Sequence, residues 1–104
     1  MRAFVVFTTA PDLKSARRIA CAVVDRKLAA CVSLRSGFES VYRWKKKIVR
    51  SSEVLLILKT SKERLRSLEK AVLAAHPYDT PEFLSLPVHS GSKRYLGWLA
   101  DSLH

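Results

Sequence analysis

Two cysteines, three glycines and one methionine are all that this chain of 104 residues has of those types. Each shortage closes off a class of protein. Cys21 and Cys31 are too few, and lie on separate predicted elements, for a zinc-finger spacing or a disulfide framework. A chain of this length buries roughly two-thirds of its unfolded surface without such staples. Free thiols and a reducing compartment are therefore expected. Gly37, Gly91 and Gly97 are too scattered to build a P-loop, and no Gly-x-Ser-x-Gly elbow occurs. Nothing in these motifs supports catalysis, so a non-enzymatic role is expected.

Long apolar runs are also missing. After Arg2, the stretch Ala3-Phe4-Val5-Val6-Phe7 stops at threonines, too short for a signal-peptide core or a bilayer span. A cytoplasmic protein with no membrane segment is the expectation. Acidic residues are scarce, nine against nineteen basic ones, for a net charge of +10. Such a balance invites nucleic acid, acidic lipid or an anionic ligand. The basic residues are spread along the chain, Arg17, Lys45, Lys62 and Arg94 among them, however, and dispersed charge is also how an ordinary solvated surface looks.

What is present is dominated by the stretch from Leu28 to Thr60. Two β-rich runs, Leu28 to Trp44 and Glu53 to Thr60, flank the cationic turn Lys45-Lys46-Lys47 and predict a long antiparallel hairpin. Ala30, Val32 and Leu34 are expected on one face, with Ala29, Cys31, Ser33 and Arg35 on the other. Gly37 interrupts this alternation as a bulge or bend, after which Ser40, Tyr42 and Trp44 fall on alternate positions.

Phe4 to Phe7 reads as a first strand, and Asp12 as the cap of a helix running through Ala16, Ile19, Ala20 and Val23 to Lys27. Thr60-Ser61-Lys62-Glu63 has the form of a capping box for a second helix with Leu65, Leu68, Val72 and Ala75 inward, stopped by His76-Pro77. Glu82 to Val88 predicts a fourth strand, placed at an edge by Pro87, before a last helix with Tyr95, Leu96, Trp98, Leu99 and Leu103. The order β-α-β-β-α-β plus a terminal helix is an α+β, ferredoxin-like (split β-α-β) arrangement, one domain over residues 1–104. It puts the first and third strands in the centre of the sheet. Both are apolar at successive positions, while the two main helices cover a single face. A second copy of the chain is the expected cover, so a homo-oligomer is predicted.

With these segments laid out, the chain resembles the CutA family of divalent-cation tolerance proteins. The matching residues are Leu28-Ala29-Ala30-Cys31-Val32, Ser40-Val41-Tyr42-Arg43-Trp44, Glu53 through Thr60, His76-Pro77-Tyr78 with Pro81-Glu82, and Tyr95-Leu96-x-Trp98-Leu99. The resemblance implies a tight homotrimer with strands continuing between subunits, and a role in tolerance of copper and other divalent metals without an established reaction. Its similarity to the PII signalling proteins implies a regulatory alternative, with a small ligand held between subunits.

Cys31 is the first candidate metal ligand, because a thiolate is the soft donor that selects copper(I). It is equally a small residue of the kind often buried for packing. His76 and Glu82 are lesser candidates, carried on a rigid His-Pro-Tyr…Pro-Glu turn; His76 also reads simply as the end of its helix. For the small-ligand alternative the candidates are Tyr42, Trp44, Lys59 and Tyr78. The aromatics are also what an oligomer seam would contain. RNA binding is the rival from another class. The aromatic run of an RNA-recognition strand is absent and the third strand presents leucines, so no specific nucleic-acid partner is expected.

Overall fold

A computed structural model describes all residues, 1–104, and follows the expected order. The elements are β1 (Ala3–Ala10), α1 (Leu13–Asp25), β2 (Cys31–Trp44), β3 (Lys47–Ser61), α2 (Lys62–Ala75), β4 (Leu84–Pro87) and α3 (Lys93–Ser102). The four strands form one antiparallel sheet in the order β2-β3-β1-β4, which leaves β1 and β3 central and β4 at an edge.

Side-chain alternation sorts the sheet into two faces. Val6, Ala10, Val54, Leu56 and Leu58 face α1 and α2 and close the main core with Ile19, Val23, Leu68 and Val72. Asp12 caps α1 as expected, accepting the Ser15 amide at 2.7 Å, and this bond holds its carboxyl below the ordinary range. The helix stops at Asp25, two residues short of the expected Lys27, because Lys27 takes the left-handed conformation (φ 58°). The Leu28 amide then returns to the Val23 carbonyl at 2.9 Å, a Schellman closure.

The expected capping box does not form. The cap of α2 is Ser61, without a side-chain cap bond, and the Thr60 hydroxyl instead donates to the Leu28 carbonyl at 2.7 Å. Thr60 is fully buried near the end of β3, where a carbonyl without a partner outcompetes helix amides for the hydroxyl. Ala29 and Ala30 also exchange their expected sides, since β2 begins only at Cys31; Ala29 enters the main core and Ala30 packs beside α3.

The second face holds Val5, Phe7, Leu55 and Ile57, with Leu84 and Leu86 of β4 paired beside Phe7 and Val5. α3 covers only one end of it. Leu99 and Leu103 close a small cluster with Ala3, and the chain end is tied down where Arg64 and Lys27 donate to the Leu103 and His104 carbonyls at 2.6 and 2.7 Å. The middle stays open, with Leu84 60% and Leu86 47% exposed.

Candidate ligand site

The far end of that second face carries the site, and β3 supplies its floor. Ala10 pairs with Val54, so β3 residues from Glu53 back to Lys47 pair with β2 alone and form a projecting two-stranded arm. Its tip is a two-residue turn in which Lys45 (φ 50°) and Lys46 (φ 69°) both adopt positive φ. That is the type I′ geometry whose twist matches a hairpin, made here without the glycine or asparagine that usually relieves it.

Between Arg35 and Phe38 the register slips by one residue, with Gly37 at φ 73°. One extra residue exchanges the faces of everything beyond it. Phe38, Ser40, Tyr42 and Trp44 therefore leave the helix-covered face of Val32 and Leu34 and lie opposite Glu53, Ser51, Val49 and Lys47.

The turn after α2 closes the other side. His76 caps the helix and is buried, its Nε2 2.7 Å from the Thr9 carbonyl while Nδ1 accepts the Tyr78 amide at 3.2 Å. An acceptor at Nδ1 and a carbonyl at Nε2 match the Nε2–H tautomer, with both nitrogens occupied. The Tyr78 ring leans on the imidazole at 4.9 Å, and its hydroxyl donates to Glu53 Oε2 at 2.6 Å. Burial first, and then the bond to Glu53, push the Tyr78 phenol well above its ordinary pKa, so it stays a proton donor. Nearby, the buried Thr8 hydroxyl donates to the Glu82 carbonyl at 2.6 Å and fixes the end of the turn.

Together these elements border an open cavity of about 580 Å³ lined by Thr9, Ser40, Val41, Tyr42, Trp44, Glu53, Tyr78, Asp79, Thr80 and Glu82. Tyr42, Trp44, Tyr78 and Glu82, all singled out from sequence, meet here. Glu53, Asp79, Ser40 and Thr80 were missed. Glu53 left one signal, a charge at the same strand parity as the apolar Leu55 and Ile57.

Lys59 is not part of this cavity. It lies at the α3 end of the face, with its ammonium 5.5 Å from the Tyr95 ring centre. Cys31, half-buried, is the cross-strand neighbour of Lys59, whereas Thr9, which anchors His76, pairs with Leu55. Four strand residues separate the two positions, about 13 Å at 3.3 Å per residue. Cys31, His76 and Glu82 of one chain are thus not brought together. No group of three or more His, Cys, Asp or Glu gathers closely enough to hold a metal ion. One chain's residues do not fit a copper centre built from these three.

A model of the family described as CutA1 divalent ion tolerance protein matches residues 4–102. The chain is 45% identical over 98 residues to the Arabidopsis thaliana protein CutA, chloroplastic, covering 94% of this chain and 54% of that protein. The chain therefore spans about half the length of that plant relative. It is 42% identical over 98 residues to the divalent-cation tolerance protein CutA of Thermus thermophilus, covering 94% and 95% of the two chains. Among solved structures, CutA1 from Oryza sativa superposes with a TM-score of 0.96 at 40% identity, covering 100% of this chain and 95% of that one. The Thermus thermophilus structure gives 0.94 at 40% identity, covering 98% and 99%. One relative is described as chloroplastic and an Archaeoglobus fulgidus structure as periplasmic, so the compartment differs among such proteins; here no helix is long and apolar enough to cross a membrane. A match from Phe4 to Ser102, with the same topology and residue identities of this order, makes the chain a member of the CutA family of divalent-cation tolerance proteins.

Proposed function

We propose that this CutA-family protein serves divalent-cation tolerance as a ligand-binding regulatory module of the PII-like kind, working through the cavity between the hairpin arm and the turn at 76–82. The observation that carries this reading is the convergence of Tyr42, Trp44, Tyr78 and the buried Glu53 on one cavity. A binding role, not a catalytic one, is proposed, in the cytoplasm.

The proposed working form is a homotrimer. Support comes from the two unpaired sheet edges, β2 and β4, and from the open apolar strip of Phe7, Leu55, Ile57, Leu84 and Leu86. Direct binding of copper, or another thiophilic divalent metal, is the second reading. One observation favours it: Cys31 is a free, half-buried thiol on the same open face. Further ligands would have to come from another copy, since both His76 nitrogens are engaged.

Native mass spectrometry with and without copper, against a competing chelator, tests both readings. The expected result is a trimer that surrenders its copper to a modest chelator. A small-molecule screen by thermal shift should then yield a binder that Trp44→Ala abolishes. Stoichiometric copper that survives the chelator and disappears in Cys31→Ser would replace the first reading with the second.

A further inference from the structure

Nine acidic residues are few for this chain, yet three of them, Glu53, Asp79 and Glu82, line this cavity, and none of the nineteen basic residues does. We propose that this cavity takes an organic cation, a primary alkylammonium or an alkylguanidinium with a short apolar stem. The proposal rests on the ligand-site reading above and names the chemistry of its occupant.

Glu53 carries most of the argument. Its residue surface is only 7% exposed, and Tyr78 donates to Oε2 alone. Oε1 accepts no hydrogen bond from the chain, and no buried side-chain oxygen is left both sealed and unpartnered, so Oε1 opens to the cavity. Tyr78 satisfies one oxygen of this largely buried carboxylate, and the other is left to meet a cation or hydrogen-bond donor that enters the cavity. An N–H cation supplies both at once, in the strongest class of hydrogen bond.

The walls specify the rest of the guest. Tyr42, Trp44 and Tyr78 line the same cavity as the acidic groups, and aromatic faces attract cations, guanidinium especially. Val41 and the ring edges offer contact to an aliphatic stem. A bare divalent ion is a poor fit, because it needs several oxygen donors within about 2.6 Å and the acidic groups do not gather so closely. An anion would meet three carboxylates. A neutral molecule would leave Glu53 without a counter-charge.

The test uses the full chain in a Trp98→Phe background, so that Trp44 is the sole indole, and combines its fluorescence with calorimetry. The probes are n-butylguanidinium, tetramethylammonium, n-pentanol and valerate. Butylguanidinium should bind and perturb Trp44, more tightly than tetramethylammonium, which has no N–H for Oε1. Pentanol and valerate should not bind. Glu53→Gln should weaken butylguanidinium by about 10- to 100-fold, as expected for loss of a charge-assisted bond. Glu82→Gln, at an exposed position, gives a variant whose folding is not in question and should also weaken it. Glu39→Gln, exposed on the same hairpin but outside the cavity, should change binding by less than about twofold. Butylguanidinium binding indifferent to both cavity carboxylates overturns the proposal. So does tighter, Trp44-dependent binding of valerate or pentanol, which would leave a ligand site of another chemistry. If no probe binds and the thermal-shift screen also finds nothing, this proposal and the ligand-site reading fall together.

Discussion

The open face of the sheet has two unlike ends. At one, α3 lies on Ala3 and buries Leu99 and Leu103, and Lys59 extends over the Tyr95 ring. At the other, the hairpin arm and the turn at 76–82 touch through Tyr78 and Glu53 and leave an open cavity with three carboxylates beside that contact. Where a helix completes the packing, polar groups are reduced to a long side chain lying on an aromatic surface. Where packing is left incomplete, a buried acid can be held in place by a single phenol and still face the cavity. Chemistry in this fold is therefore expected where the sheet outruns its cover, and Cys31, beside Lys59, sits at the covered end.

The sharpest way to break this contrast is Leu99→Ala. It should cost about 2–5 kcal/mol in urea unfolding by emptying the α3 cluster, with cavity binding unchanged; a parallel loss of binding would mean the two ends are not independent. Next comes Tyr78→Phe, which strips Glu53 of its donor and should cost about 1–3 kcal/mol. The same variant has a pH signature. The folded-state pKa of Tyr78 is raised, so its contribution is complete below the unfolded value near 10.0 and declines as pH rises beyond it. Chemical denaturation from pH 8 to 11 should show this alkaline decline in the wild type and a shallower one in Tyr78→Phe; identical slopes would remove Tyr78 as its source. A smaller change of opposite sign is expected at the arm's tip. Replacing Lys45 with Asn and Lys46 with Gly relieves two positive-φ residues and should stabilise by about 1 kcal/mol, read as a higher melting temperature. The least effect, about 0.5 kcal/mol, is expected for Lys59→Met, which keeps the stem and removes the cation–π contact. A loss several times larger would assign Lys59 a structural charge role.

Much of the framework was legible because its signals are local. Asp12 stands three residues before the amide it caps, Gly37 breaks a strict alternation, and Pro87 marks a strand with an open edge. The capping box at Thr60 misled for an equally local reason. The pattern Thr-x-x-Glu is a property of four residues, while the hydroxyl answers to a carbonyl 32 positions away. The ligand residues divide the same way. Tyr42, Trp44 and Tyr78 were visible as aromatics on a strand and a rigid turn, whereas Glu53 looked like the polar first residue of an apolar run. Its role comes from Tyr78, 25 residues away, and no spacing rule spans that distance.

The sequence by itself determined the order of elements, the central pair of strands and the need to cover a second apolar face, since periodicity and breakers act over a few residues. Only the tertiary structure decided which side of the sheet Tyr42 and Trp44 occupy. It also parted Cys31 from His76 and set a carboxylate beneath a phenol. A one-residue bulge reverses every face beyond it, and long-range pairing alone fixes what each face then meets.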